Sequence, residues 1–213
     1  MKRVRISLGV FVAAVLICSF FFSTAHAQVD YTIWEGRWLK VNTNFKGYER
    51  NFAGPPDWSP DNERFTLFMQ IGTYADPTPG GTEGDETFSA VVWNYDTPPP
   101  PELPGWVSMP VIFHRIHGTP LDFFIWSQTD EGDITTGLGM RFAFVARITG
   151  RMDRAGTDLQ TAQFKCLGGY HVEMDPADPI YLASGITMTG TLVPLNFCDS
   201  ARNSQYPPCR RPD

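Results

Sequence analysis

The sequence predicts an all-β fold: a single antiparallel up-and-down barrel of eight strands, with a two-sheet β-sandwich as the alternative. Three observations point there. Apolar residues recur at every second position in short runs rich in aromatic and β-branched side chains, which is the spacing of a half-buried strand. No stretch shows the 3.6-residue apolar period of a helix lying on a core. Finally, 19 glycines and 18 prolines punctuate the 213 residues too often for long helices to develop. Several runs approach or exceed ten residues, and long, tilted strands suit a closed barrel better than a sandwich.

The chain opens with a basic head (Lys2, Arg3, Arg5), an apolar core "ISLGVFVAAVLICSFFF" and "STAHA", which ends in the small-x-small pattern Ala25-x-Ala27. This predicts a signal peptide over residues 1–27, cut before Gln28, and a secreted or periplasmic product with no further membrane span. Residues 28–213 then form one β-domain whose C-terminal tail begins near residue 196. Losing three basic residues and no acidic one takes the formal net charge from −6 to −9. That balance argues against nucleic acid as a partner.

Eight strand signals follow in order. The first is "GRWLKVNTNFKGYE" and the second "RFTLFMQIGTY", with Phe65, Leu67, Met69 and Ile71 on one face. "TFSAVVWNY" and "WVSMPVIFHRI" are the third and fourth. The fifth, "LDFFIWSQ", runs into an expected turn "TDEGD". The sixth, "LGMRFAFVARITG", sets Phe142, Phe144, Ala146 and Ile148 against Arg141 and Arg147. In the seventh, "DLQTAQFKCLGGYHVEM", Gly168-Gly169 marks an expected bulge. The eighth is "SGITMTGTLVPL". The inward face is expected to include Trp38, Leu67, Met69, Phe142, Phe144, Ile186 and Met188. "AGPPDWSPDNE", "ADPTPGGTEGDE" and "DTPPPPELPG" read as loops, the last stiffened by Pro98 to Pro101.

Export permits disulfides. Cys198 and Cys209 bracket a polar, aperiodic loop and are expected to pair, tethering the tail; Cys166 then remains as a buried thiol, with a Cys166–Cys198 bridge as the rival arrangement.

Few residues suggest chemistry. His114 and His117 lie three apart on a strand, a spacing that sends side chains to opposite faces, so no metal site is expected there. The acidic turns "TDEGD" (Asp130, Glu131, Asp133) and "TEGDE" (Glu83, Asp85, Glu86) lack the full calcium loop. No nucleophile elbow, haem attachment or phosphate-cradling loop occurs, so no cofactor and no catalytic residue is assigned, and the reading leans away from an enzyme.

Gly36-x-Trp38 at the head of the first strand, followed by seven more strand signals in an exported chain of this size, resembles the lipocalin or calycin type of barrel. The resemblance implies a barrel that holds a small apolar or aromatic ligand, with Trp38 closing one end against a basic residue, Arg141 or Arg147. The expected ligand-binding set is Trp38, Arg141, Phe142, Phe144, Arg147 and Tyr170. An interaction module is the second class: a filled barrel meeting a protein partner through loops bearing Trp58, Trp93 and Trp106. A barrel-fold cyclase or isomerase is the third, and would need a converging pair of titratable groups.

Overall fold

The structure, a computed structural model, describes residues 29–50, 58–77, 86–95, 106–133, 138–174 and 180–210. The expected signal peptide lies outside these residues. Tyr31–Asp213 makes up one compact unit.

Eight strands run in sequence: β1 (Trp38–Arg50), β2 (Trp58–Ala75), β3 (Thr87–Tyr95), β4 (Trp106–Thr119), β5 (Asp122–Asp133), β6 (Leu138–Met152), β7 (Leu159–Met174) and β8 (Ile180–Leu192). Each pairs antiparallel with the next, and β8 pairs with β1, closing the ring. Closure rules out the sandwich, whose two sheets would each leave edges.

Alternation fills the interior. Leu39, Val41 and Phe45 of β1 meet Leu67, Met69 and Ile71 of β2, Phe113 of β4, Phe123 and Ile125 of β5, Phe144 and Ile148 of β6, Phe164 of β7, and Ile186 and Met188 of β8 in one buried cluster. Phe142 packs against its edge, half-buried. Trp38 differs from expectation. Leu39 beside it is fully buried in the cluster, so the period of two turns the half-buried Trp38 to the outer face.

Two strands outrun their sequence signals. β2 starts at Trp58, so "WSPDNE" is strand rather than loop, with Tyr48 opposite Pro60 and Glu49 opposite Ser59. β5 continues through "TDEGD", because Asp130 sits opposite Arg141 and their ion pair holds the register where a turn was expected.

Bulges decide which side chains face inward. The β6–β7 register shifts between Val145 and Ala146, which face Gly168 and Cys166, so Leu167 is the extra residue beside the glycine pair. Upstream, Ala162, Phe164 and Cys166 are buried; downstream the parity flips, burying His171 and leaving Tyr170 40% exposed. A second bulge between Arg115 and His117 brings His117 to the same outer face as His114. Each imidazole stacks on an aromatic ring there, His114 on Trp126 at 4.3 Å and His117 on Phe124 at 4.5 Å.

Two short segments finish the fold. Ahead of β1, Tyr31–Trp34 forms a 3-10 turn that ends in the buried Trp34. Gly36, at φ +73, makes the following reversal and donates its N–H to the Ile71 carbonyl at 2.7 Å. After β8, three 3-10 turns, Phe197–Asp199, Ala201–Asn203 and Pro207–Cys209, are stapled by the Cys198–Cys209 disulfide, while Cys166 is a buried free thiol. The stapled segment lies on the outside of the sheet. Phe68 is fully buried there between Trp106, Phe197 and Tyr206, its ring centroid 5.2 Å from that of Tyr206.

Candidate functional site at one end of the barrel

The two ends of the barrel are chemically unlike. At one end, Trp34 plugs the interior. Its indole N–H donates to the Pro120 carbonyl at 2.7 Å, its ring meets Phe123 edge-on at 5.4 Å, and it fits only because Gly150 lacks a side chain. A Cβ on Gly150 would stand 2.9 Å from that indole. Beside the plug, Tyr31 stacks on Tyr74 at 4.9 Å, and the Arg115 guanidinium lies over the Tyr31 ring at 5.1 Å while pairing with Glu86. Burial opposes the charge on Arg115, but its donation to Glu86, together with the electrostatic pull of Tyr31, Glu86 and Tyr74, outweighs it and the guanidinium stays protonated. Burial, with Glu86 and Asp76 nearby, pushes the Tyr74 hydroxyl up to about 12. This end is sealed.

The other end is built by the last turns of β1 and β7 and the first residues of β2, β6 and β8. Phe45 lies edge-on to Phe65 at 5.0 Å, tilted against Phe142 at 5.5 Å and edge-on to His171 at 5.6 Å. Phe65 and Phe142 are only half-buried, so this aromatic group lies at the margin of the buried cluster. Below it, the Thr43 hydroxyl donates to the Phe65 carbonyl at 2.8 Å, satisfying a polar group buried in the wall.

Carboxylates lie beyond this aromatic group toward the strand ends. Glu63 stands opposite Phe45 and Asp61 opposite Gly47, so both share the inward parity of β1. Glu173 brings its Oε2 to 3.9 Å from His171 Nε2. Partial desolvation, then the negative charges of Asp61, Glu173 and Glu49, raise the Glu63 carboxyl above its usual range. Desolvation lowers the pKa of His171, keeping the ring neutral at neutral pH. Among the described residues this end therefore joins aromatic faces to a negative field, a pairing that suits cations with apolar bodies.

The sequence-predicted residues are dispersed. Phe142 belongs to this aromatic group and Phe144 lies beneath it, their rings 5.4 Å apart. Trp38, Arg141, Arg147 and Tyr170 are on the outer face. Arg141 is engaged by Asp130 at 2.5 Å, and Arg147 by Asp122 at 2.6 Å with its guanidinium over Phe124. Neither arginine backs Trp38; the tryptophan at the sealed end is Trp34, and the arginine over an aromatic ring there is Arg115. Among the loop tryptophans, Trp106 is 9% exposed under the chain's own C-terminal segment and Trp93 is half-buried, while the Trp58 side chain lies outside the described residues. Glu63, Glu173 and the inward aim of His171 had no motif to reveal them. The glycine pair at 168–169 was the available signal, since one extra residue there reverses every side chain after it.

Among the described residues, no group of three His, Cys, Asp or Glu side chains could hold a metal ion, and no helix is long and apolar enough to cross a membrane. No family model matches the chain, and no curated protein matches it either.

Proposed function

We propose that this chain is an exported binding protein whose barrel end opposite the Trp34 plug takes a small apolar or aromatic molecule, best one carrying a positive charge. The carrying observation is the aromatic group Phe45–Phe65–Phe142–His171, half-buried at Phe65 and Phe142, beside the carboxylates Glu63 and Glu173. A bound aromatic body gains area on the phenylalanines, and its cation relieves the mutual repulsion that now raises Glu63. A lipocalin-like relationship fits a closed eight-strand meander with one tryptophan-sealed end, although the sealing residue precedes Gly36 instead of following it. The disulfide suits an oxidising compartment.

Native mass spectrometry of protein purified from its own host tests this, followed by identification of any released molecule. Fluorescence titration with a series of aromatic amines and the matching aromatic carboxylates gives the second arm. Amines should bind more tightly than carboxylates, and both Phe142→Ala and Glu63→Gln should weaken them. Equal binding of the two series, or indifference to both variants, refutes the reading.

A protein partner is the second reading, favoured by a different observation. Ile112, Trp126, Val145 and Leu167 are exposed on the outer face of β4 to β7, Trp126 standing opposite Val145 and Val145 opposite Gly168. An apolar band of this kind is how sheet faces meet partners.

A further inference from the structure

The outer face of β7, β8 and β1 is distinct from both the aromatic barrel end and the apolar band. Beyond residue 27 the chain contains three lysines, Lys40, Lys46 and Lys165, and all three stand on this face. Two rows cross the strands in register: Lys40, Thr191 and Gln163 form one, and Asn42, Thr189 and Lys165 the other. The six side chains, with Phe164 and Gly190 beneath them, line a hollow of about 320 Å³. None of the lining residues is a carboxylate, in a chain whose formal charge is −6.

The hollow has a local cause. Gly190 faces the core near the end of β8, and a Cβ there would lie 2.7 Å from Val41 Cγ2 and 3.2 Å from Phe164 Cβ. With no side chain there, β8 lies close against Val41 and Phe164, and the flanking lysine, asparagine and glutamine side chains wall the hollow. Lys40 is further steadied by the Tyr206 ring, 5.6 Å from its ammonium, a contact that holds the charge in place without neutralising it. Standard strand spacing puts the Cα atoms of Lys40 and Lys165, two strands and one row apart, about 12 Å from each other.

We propose that this hollow binds an acidic saccharide, a sugar chain bearing carboxylate or sulfate groups. Two threonine hydroxyls and the Asn42 and Gln163 amides supply donors and acceptors at the density that sugar hydroxyls require. The two lysines, placed diagonally, address anionic groups on separate sugars. Single-stranded nucleic acid, the other polyanion, is held through bases stacked on exposed aromatic rings, and the only ring in this lining, Phe164, is buried.

Isothermal titration of the mature protein with an oligogalacturonate and with a sulfated dextran oligosaccharide tests the proposal. At least one should bind, and the affinity should fall as salt is raised. Lys40→Gln and Lys165→Gln should each weaken binding by about fivefold, as exposed ion pairs do. Lys46→Gln changes the net charge equally but lies outside the lining, so it should cost less than about twofold. Circular dichroism confirms that the variants remain folded, and F142A should leave saccharide binding unchanged, separating this hollow from the aromatic barrel end. The proposal is overturned if neither saccharide binds, if a neutral oligoglucose binds equally well, or if K46Q matches the loss in either single-lysine variant. Tighter binding of a single-stranded DNA oligonucleotide of equal charge also overturns it.

Discussion

Replacing Trp34 tests the account of the sealed end directly. The indole is fully buried, and truncation to alanine removes it from contact with Phe123 and from the space above Gly150. Large aromatic-to-alanine changes in cores cost about 3–5 kcal/mol. Trp34→Phe keeps most of the buried area but leaves the Pro120 carbonyl without its donor, which costs about 1–2 kcal/mol. Gly150→Ala drives a methyl into the indole at 2.9 Å and into Leu159 at 2.7 Å, an overpacking of about 1–3 kcal/mol. In a Trp34→Ala background one of those two obstacles is gone, so the Gly150→Ala penalty should shrink by about 1 kcal/mol. Trp38→Ala, on the outer face, should cost under about 2 kcal/mol because only part of its area is buried. Urea unfolding followed by far-ultraviolet circular dichroism measures all five variants against the parent protein without relying on tryptophan emission. If Trp38→Ala proves as costly as Trp34→Ala, or Gly150→Ala costs the same in both backgrounds, the assignment of the plug is wrong.

Four further outcomes follow from the same geometry. His171 has a folded pKa below 6.5, so the unfolded chain takes up its proton first on acidification. Stability should fall as pH drops through 6.5 and level off below the folded value, and His171→Gln should flatten that slope in denaturation curves. Glu63 is displaced the other way, so its ionisation opposes folding at neutral pH; Glu63→Gln should raise the melting temperature at pH 7 and lose that advantage under acid conditions. Removing Cys198 and Cys209 together should cost about 2–3 kcal/mol by the loop-entropy estimate. It should also increase binding of an apolar dye as Phe68 and Trp106 lose their cover; unchanged dye binding would show that the staple does not hold the segment down. Burial raises the Cys166 thiol, so a disulfide-exchange reagent should modify it only at the rate of unfolding.

The strands were legible because alternation is a local property. Phe65, Leu67, Met69 and Ile71 announce β2 without reference to any other residue. Facing is less local. The double glycine at 168–169 was readable as a bulge, yet its effect falls on Tyr170 and His171, which exchange sides because of one inserted residue. The bulge at Ile116 has no glycine to mark it, and it carries His117 onto the face of His114. The plug was hidden for another reason. Trp34 sits in a 3-10 turn with no periodicity, and its partners Pro120 and Gly150 lie far along the chain. Likewise, Glu86 reads as one acid in a polar turn until the fold brings Arg115 beside it. Cys198 and Cys209 were within reach because a short bracketed loop constrains its own ends.

The pairing of β1 with β8 has a consequence in time. Leu39 lies opposite Leu192, so the first strand to be synthesised shares its second edge with the last. Every other pairing joins consecutive strands and can form soon after both have been made. The final seam must wait for nearly the whole polypeptide and for the slow search that distant contacts impose. Until then the nascent sheet has two raw borders able to recruit another molecule. The ring cannot lock while its final strand is still missing. Deleting β8 should therefore yield a sticky, open sheet instead of a smaller barrel.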